Sequence, residues 1–283
     1  MSLTRFIREK DVSEKLRETI CDLKMKKKPD AQAPSGENDL VGIAFDYFLR
    51  IYAQRLNNKY FEKELIAKKA LPILGPCDIE TFDLVASEPV YEKNEYTDYA
   101  LDTLKDLDAF RKKYLKNGQI SNDFLICILK VSQFDLIYRS GVFLGYFKKI
   151  EDYQVDDLRK IVMNIKESYF RGKQYVIGNP SFGKASRLVG GADGDLIIDQ
   201  KMVEVKTVKS TAKWKEYLRQ LLAYYALLEN GGVDGISFSV KIDTLSIYFS
   251  RHAEMVDFPL ISIFQSKNEK ESFVKWFVQR ITK

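Results

Sequence analysis

The stretch from Gly190 to Lys206, GGADGDLIIDQKMVEVK, constrains this chain more than any other. It holds two apolar runs of strand length, Leu196-Ile197-Ile198 and Met202-Val203-Glu204-Val205, with Asp199-Gln200-Lys201 as a polar turn between them. β-Branched residues fit a pleated strand, so the spacing predicts a β-hairpin. Side chains alternate along a strand. Asp193 and Asp195 therefore share one face, as do Glu204 and Lys206, with Val203 and Val205 pointing the other way. An acid and an amine on an otherwise apolar strand must be paired, solvated or bound to a metal. An Asp and a Glu on neighbouring strands can share one hard cation. A lysine beside them can hold a water or stabilise growing negative charge. That set suits metal-assisted attack on a phosphodiester.

After a basic loop, Ala212 to Glu229 predicts a helix with Trp214, Leu218, Leu221, Leu222, Tyr225 and Leu228 on its apolar side. Gln220 and Tyr224 are four apart and stack on one face. Upstream, a helix running from Asn38 or Asp39 to about Asn57 carries Asp46 on the margin of its apolar stripe. That position lets Asp46 reach inward to a metal or pair with Arg50, one turn on.

Asp195, Glu204-Val205-Lys206 and Gln220 with Tyr224 together resemble the motif set of the PD-(D/E)xK nuclease superfamily, in its RecB-like and Cas4-like branch. The core resemblance covers roughly residues 175 to 250, with a weaker match at 40 to 55, where Gly42 to Tyr47 resembles the first core helix. The Pro that gives the superfamily its name is absent before Asp195. The resemblance implies an α/β fold: a restriction-endonuclease-like central mixed sheet flanked by helices. The expected division is N-terminal helices at 1–58, a helical insertion at 59–171 and a catalytic core at 172–283. It further implies Mg²⁺ or Mn²⁺ held by Asp195, Glu204, the Val205 carbonyl and Asp46. Catalysis would rest on Asp195, Glu204 and Lys206, supported by Gln220 and Tyr224. Asp193, two positions earlier, is the rival for the principal aspartate; Asp195 is preferred because the apolar run starts directly after it.

Charge distribution points the same way. The net charge of +5 is modest, yet Lys201, Lys206, Lys209, Lys213, Lys215 and Arg219 face only Glu204 and Glu216 in that stretch. With Glu204 on a metal, this is a positive rim for a phosphate backbone. Lys184 and Arg187 lie close to the hairpin in sequence, and with Lys209, Lys213, Lys215 and Arg219 they make the expected nucleic-acid contact, with DNA as the expected partner. The bland alternative is a solvated lysine-rich loop and helix start.

Other chemistries find little footing. Cys21, Cys77 and Cys127 are scattered, with no disulfide framework and no zinc or iron–sulfur spacing. His252 is the sole histidine, which nearly excludes His-based triads. Gly190-Gly191 lacks the GxxxxGK[ST] spacing of a phosphate loop. With no signal-like N-terminus and no membrane-length apolar run, the expectation is a cytoplasmic protein with no membrane partner. A protein partner from a repair, defence or phage system is compatible with this picture.

The remaining pattern predicts helices at 2–27, 60–74, 97–116, 120–138 and 152–170, with 141–147 able to begin another. Residues 78–95 read as irregular. Strands are expected at 173–177, 187–189, 235–242 and 244–250, and a last helix at 260–282 after Pro259. Two rivals to a nuclease stand: a diverged, non-cleaving nucleic-acid binder that kept the fold, and a phage or mobile-element structural protein whose acids and lysine only form salt bridges.

Overall fold

The computed structural model describes residues 3–25, 39–62, 65–74 and 94–283. Expectations for Cys77, for a helix start at Asn38 and for most of 78–95 lie outside them. The chain divides into two compact units. The first comprises Met1–Ala33, Leu56–Lys63 and Ile165–Lys283; the second comprises Pro34–Arg55 and Glu64–Asn164. This division differs from the sequence-based one. The N-terminal residues join the sheet-containing unit because Leu3, Phe6, Val12, Leu16 and Ile20 are buried in its core.

The first unit is built on a six-stranded sheet in the order β1-β2-β3-β4-β5-β6. Its strands are β1 (Tyr60–Glu62), β2 (Val176–Gly178), β3 (Leu196–Ile198), β4 (Lys201–Lys206), β5 (Thr244–Phe249) and β6 (Glu254–Pro259). Strands β2, β3 and β4 form an antiparallel meander. Strand β5 then pairs parallel to β4, as β1 does to β2, and β6 returns antiparallel. A parallel neighbour requires a crossover, and α8 (Trp214–Gly231) supplies it between β4 and β5. From Leu221 to Leu228 every residue of α8 is buried. The sheet lies on one side of it, and α2 (Lys10–Thr19), α7 (Gly183–Leu188) and α10 (Lys267–Ile281) also pack against it.

The second unit is helical. It contains α3 (Asp39–Leu56, whose last residue falls in the first unit), a 3₁₀ helix at Ile66–Ile73, α4 (Glu95–Asn117), α5 (Asn122–Ser140) and α6 (Asp152–Met163). Helix α4 opens on a capping box at Asn94 and closes on Gly118 in the left-handed region. Helix α5 opens on Ser121, whose hydroxyl accepts from the Phe124 N–H, and closes on Gly141. Cys127 packs as a small buried group, with its thiol near the Thr103 carbonyl. Inside, the Tyr47 hydroxyl donates to Asp135 at 3.1 Å and accepts from the Ala67 N–H.

Several expected elements differ. The N-terminal helix is two pieces, α1 (Leu3–Phe6) and α2, interrupted at residues 7–9 and finished at Thr19. The helix expected at 60–74 is strand β1 followed by the 3₁₀ helix, which tolerates Pro72 inside it. Residues 141–147 form no helix; Phe143 and Phe147 turn in to pack on Tyr96 and Tyr99. The helix expected at 152–170 ends at Met163 and is followed by a 3₁₀ turn at Glu167–Tyr169. Arg187 to Val189 is not extended, since α7 occupies Gly183–Leu188. Residues 235–242 are not a strand: they pair with no neighbour, and Phe238 packs on Phe61 and Tyr175. The final helix is split into α9 (Leu260–Ile263) and α10. No helix of the described residues is long and apolar enough to cross a membrane.

Candidate active site

The hairpin sets the geometry. Ile198 faces Lys201, Ile197 faces Met202 and Leu196 faces Val203. One further step places Asp195 opposite Glu204, and residues directly opposite on antiparallel strands point to the same face. The turn is tighter than the sequence implies, because Lys201 already belongs to β4 and only Asp199 and Gln200 lie between the strands. Asp199 takes φ 52° there. Its carboxylate accepts the N–H groups of Lys173, Gln174 and Tyr175 at 2.8, 2.7 and 3.0 Å, tying the lead-in of β2 to the turn. Burial works to raise the Asp199 pKa, but those three donors outweigh it and hold the carboxyl below its usual range.

The face shared by Asp195 and Glu204 is the one covered by α8, as their neighbours Ile197, Met202 and Ile247 belong to the core cluster containing Leu218, Leu221 and Leu222. Asp195 accepts the Val205 N–H at 2.6 Å, just beyond the last residue of β4 that β3 pairs with. Glu204 is 2% exposed. Its Oε1 accepts from the Lys206 ammonium, two residues along the same strand, while its Oε2 is buried with no hydrogen-bond partner. A buried carboxylate oxygen left unsatisfied is costly.

Helix α8 completes the cluster. The Lys206 ammonium donates to Gln220 Oε1 at 3.3 Å and lies 5.0 Å from the centre of the Tyr217 ring. Gln220 Nε2 in turn donates to the Tyr224 hydroxyl at 2.8 Å. Burial disfavours the Lys206 charge, but Glu204 and then Asp195 reverse that and keep the ammonium above the usual lysine range. Burial first, then the negative fields of Glu204 and Asp195, push the Tyr224 phenol well up, so it is neutral at physiological pH. Asp193 adds to the same field but is exposed, and it pairs through its backbone with Ser181.

Asp195, Glu204, Lys206, Gln220 and Tyr224 are thus brought together. Asp46 is different. It lies in the other compact unit, where its Oδ2 meets Arg50 at 3.1 Å, the pairing partner one turn on. Among the described residues, no group of three or more His, Cys, Asp or Glu side chains is placed to hold a metal ion. Within the sheet-containing unit, the expected acid ligands are Asp195 and Glu204. Those two fit a hard cation as far as the chain goes: both are oxygen donors, and the unpartnered Glu204 Oε2 supplies an open coordinating atom. Magnesium commonly takes only one or two carboxylates and keeps several waters.

The expected basic contacts lie on α7, on the loop entering α8 and on α8 itself. Lys184 and Arg187 are exposed on α7, and Lys209 and Lys213 are exposed on the loop entering α8. Lys215 donates to the Cys21 carbonyl at 2.8 Å, and Arg219 reaches Ser13 Oγ at 3.5 Å. His252, on a 3₁₀ turn after β5, contacts the Lys209 carbonyl. Tyr217 was legible in principle, being three residues before Gln220 on the same helical stripe. The contribution of α2 was not legible, because nothing in its sequence names a partner so distant in the chain. Searches against protein-family models, curated proteins and solved structures gave no match for this chain.

Proposed function

We propose that this protein is a metal-dependent nuclease, hydrolysing phosphodiester bonds with DNA as the favoured substrate, on a scaffold like that of the PD-(D/E)xK enzymes. One observation carries the reading: a buried carboxylate, Glu204, whose second oxygen has no partner, faces Asp195 across a hairpin and has Lys206 against its first oxygen. As mere structure, this is an expensive way to stabilise a sheet, since a buried ion pair seldom outperforms apolar residues of similar volume.

Asp195 and Glu204, with the Val205 carbonyl, would hold Mg²⁺ or Mn²⁺. Such an ion, when bound, polarises a phosphoryl oxygen and acidifies a water. The chain's own residues do the rest. Lys206 places a fixed positive charge where negative charge grows on the phosphoryl oxygens, in a partly dehydrated setting where that charge acts strongly. Gln220 holds the lysine by its amide oxygen and is held in turn by Tyr224, so the ammonium is aimed before substrate arrives. The hairpin joined to a parallel strand through one buried helix also agrees with a restriction-endonuclease-like core.

A second reading is favoured by a specific finding. Among the described residues no three-acid group exists, and Lys206 already neutralises Glu204. Both fit a diverged relative that binds nucleic acid without cutting it, as one component of a repair, defence or phage system. The two readings separate in one assay. Purified protein is incubated with labelled single-stranded DNA, duplex DNA and RNA, with Mg²⁺, Mn²⁺ or EDTA, beside Glu204→Gln and Lys206→Ala. The nuclease reading expects metal-dependent products from the wild type, reduced about 100-fold or more in each variant. Products that persist equally in both variants, or a wild type that binds DNA without cutting it, would remove that reading.

A further inference from the structure

A cleft of about 470 Å³ lies between α2 and the start of α8, the helix that carries Gln220 and Tyr224. Arg17, Lys213, Lys215 and Arg219 line it over Ile20, with Glu216 as the acid among its lining residues. Four cations around one small cleft repel each other unless an anion sits among them. The repulsion is visible at Arg219, where burial first, and then the charge of Arg17, pull the guanidinium below its usual pKa.

Glu216 offsets only part of this charge. Arg219 reaches a neutral hydroxyl on Ser13, and Lys215 reaches a neutral carbonyl on Cys21. Among the described residues, the Arg17 side chain makes no ion pair. Neutral acceptors fix the direction of a cation without spending its charge. Two guanidiniums offered from different helices, one of them oriented by Ser13, suit a phosphate diester, which accepts planar, paired hydrogen bonds. Arg219 also directly precedes Gln220, which holds Lys206, so the cleft and the acidic cluster share one helix.

We propose that Arg17 and Arg219 clamp a backbone phosphate of the nucleic-acid strand flanking the bond held at Asp195 and Glu204. Arg17 is a residue that the hairpin motifs do not reach. The proposal rests on the nucleic-acid reading above, but it concerns binding and needs no metal.

The test is fluorescence anisotropy with a labelled single-stranded oligonucleotide in EDTA, across a range of KCl concentrations, using the full chain. Arg17→Ala with Arg219→Ala is expected to weaken binding about tenfold, and to reduce the slope of log affinity against log salt by about 0.7, one single-strand phosphate's worth. Arg17→Lys with Arg219→Lys keeps the charge and is expected to restore the slope. Lys275→Ala, on the exposed side of α10, is the control expected to match wild type. If circular dichroism shows the double variant unfolded, the single Arg17→Gln and Arg219→Gln chains are read instead. Wild-type affinity and salt slope in the alanine variants would overturn the clamp, as would a wild type that does not bind. A clamp that fails while metal-dependent cleavage continues leaves the nuclease reading intact; normal binding without cleavage does the reverse.

Discussion

Glu204 is the residue on which the site turns. Its position on β4, opposite Asp195 and two residues from Lys206, makes one strand carry acid and base on the face that α8 covers. Replacing the carboxylate by an amide keeps its shape and removes its charge, so Glu204→Gln separates chemistry from folding. Its cooperative unfolding is expected to survive while cleavage falls. Asp199, at the other end of the hairpin, is a structural counterpart. Its folded-state pKa is depressed, so its contribution to stability is complete above the unfolded value of about 3.9 and is lost as pH falls through the folded one. Asn accepts the left-handed φ of this turn. Asp199→Asn is therefore expected to cost about 1 to 2 kcal/mol at pH 7, by weakening three charge-assisted bonds. The difference from wild type should shrink in urea unfolding below about pH 4; a penalty equal at both pH values would contradict this account of the turn.

At the scale of elements, α8 is the part that the sheet and the neighbouring helices meet. Its C-terminal Gly231 lies so close to α7 that an added Cβ would stand 2.2 Å from the Phe182 carbonyl oxygen and 3.1 Å from Ala185 Cβ. Gly231→Ala forces backbone apart and is expected to cost about 1 to 3 kcal/mol in chemical denaturation. An unchanged midpoint would mean that α7 is free to move away. The hairpin and α8 were legible in the sequence because each has a strong local pattern: a β-branched run around a polar turn, and a long apolar stripe. Helix α7 was not, since six residues are too few to show a period and its glycine and lysine resemble a loop. Strand β6 was missed for a related reason. It is half-exposed at the sheet edge and ends in Pro259, so no alternation marks it. The opposite error, a strand at 235–242, came from alternating apolar residues that pack as a loop.

For the whole molecule, the order of segments in sequence is not their order in space. The sheet-containing unit draws on residues near the N-terminus, on the short Leu56–Lys63 segment and on everything from Ile165 onward. Local patterns cannot announce that Val12 and Leu16 belong to a core finished by Phe277, nor that Arg17 lines a cleft with Arg219. A fragment of residues 165–283 retains every site residue on the hairpin and α8 but lacks α2 and the edge strand β1. It is expected to show no cooperative thermal transition by circular dichroism; a sharp transition would mean that the N-terminal helices are dispensable to this core. The pair of acids was legible because strand alternation fixes which residues share a face; the Arg50 pairing of Asp46 was not, because Asp46 had two partners open to it. The most direct test of the account is Mn²⁺ binding followed by electron paramagnetic resonance. Wild-type protein is expected to bind the ion at a site lost in both Asp195→Asn and Glu204→Gln, with each variant folded. Equal Mn²⁺ binding by all three chains, or none by the wild type, would contradict the claim that these two carboxylates converge on a cation.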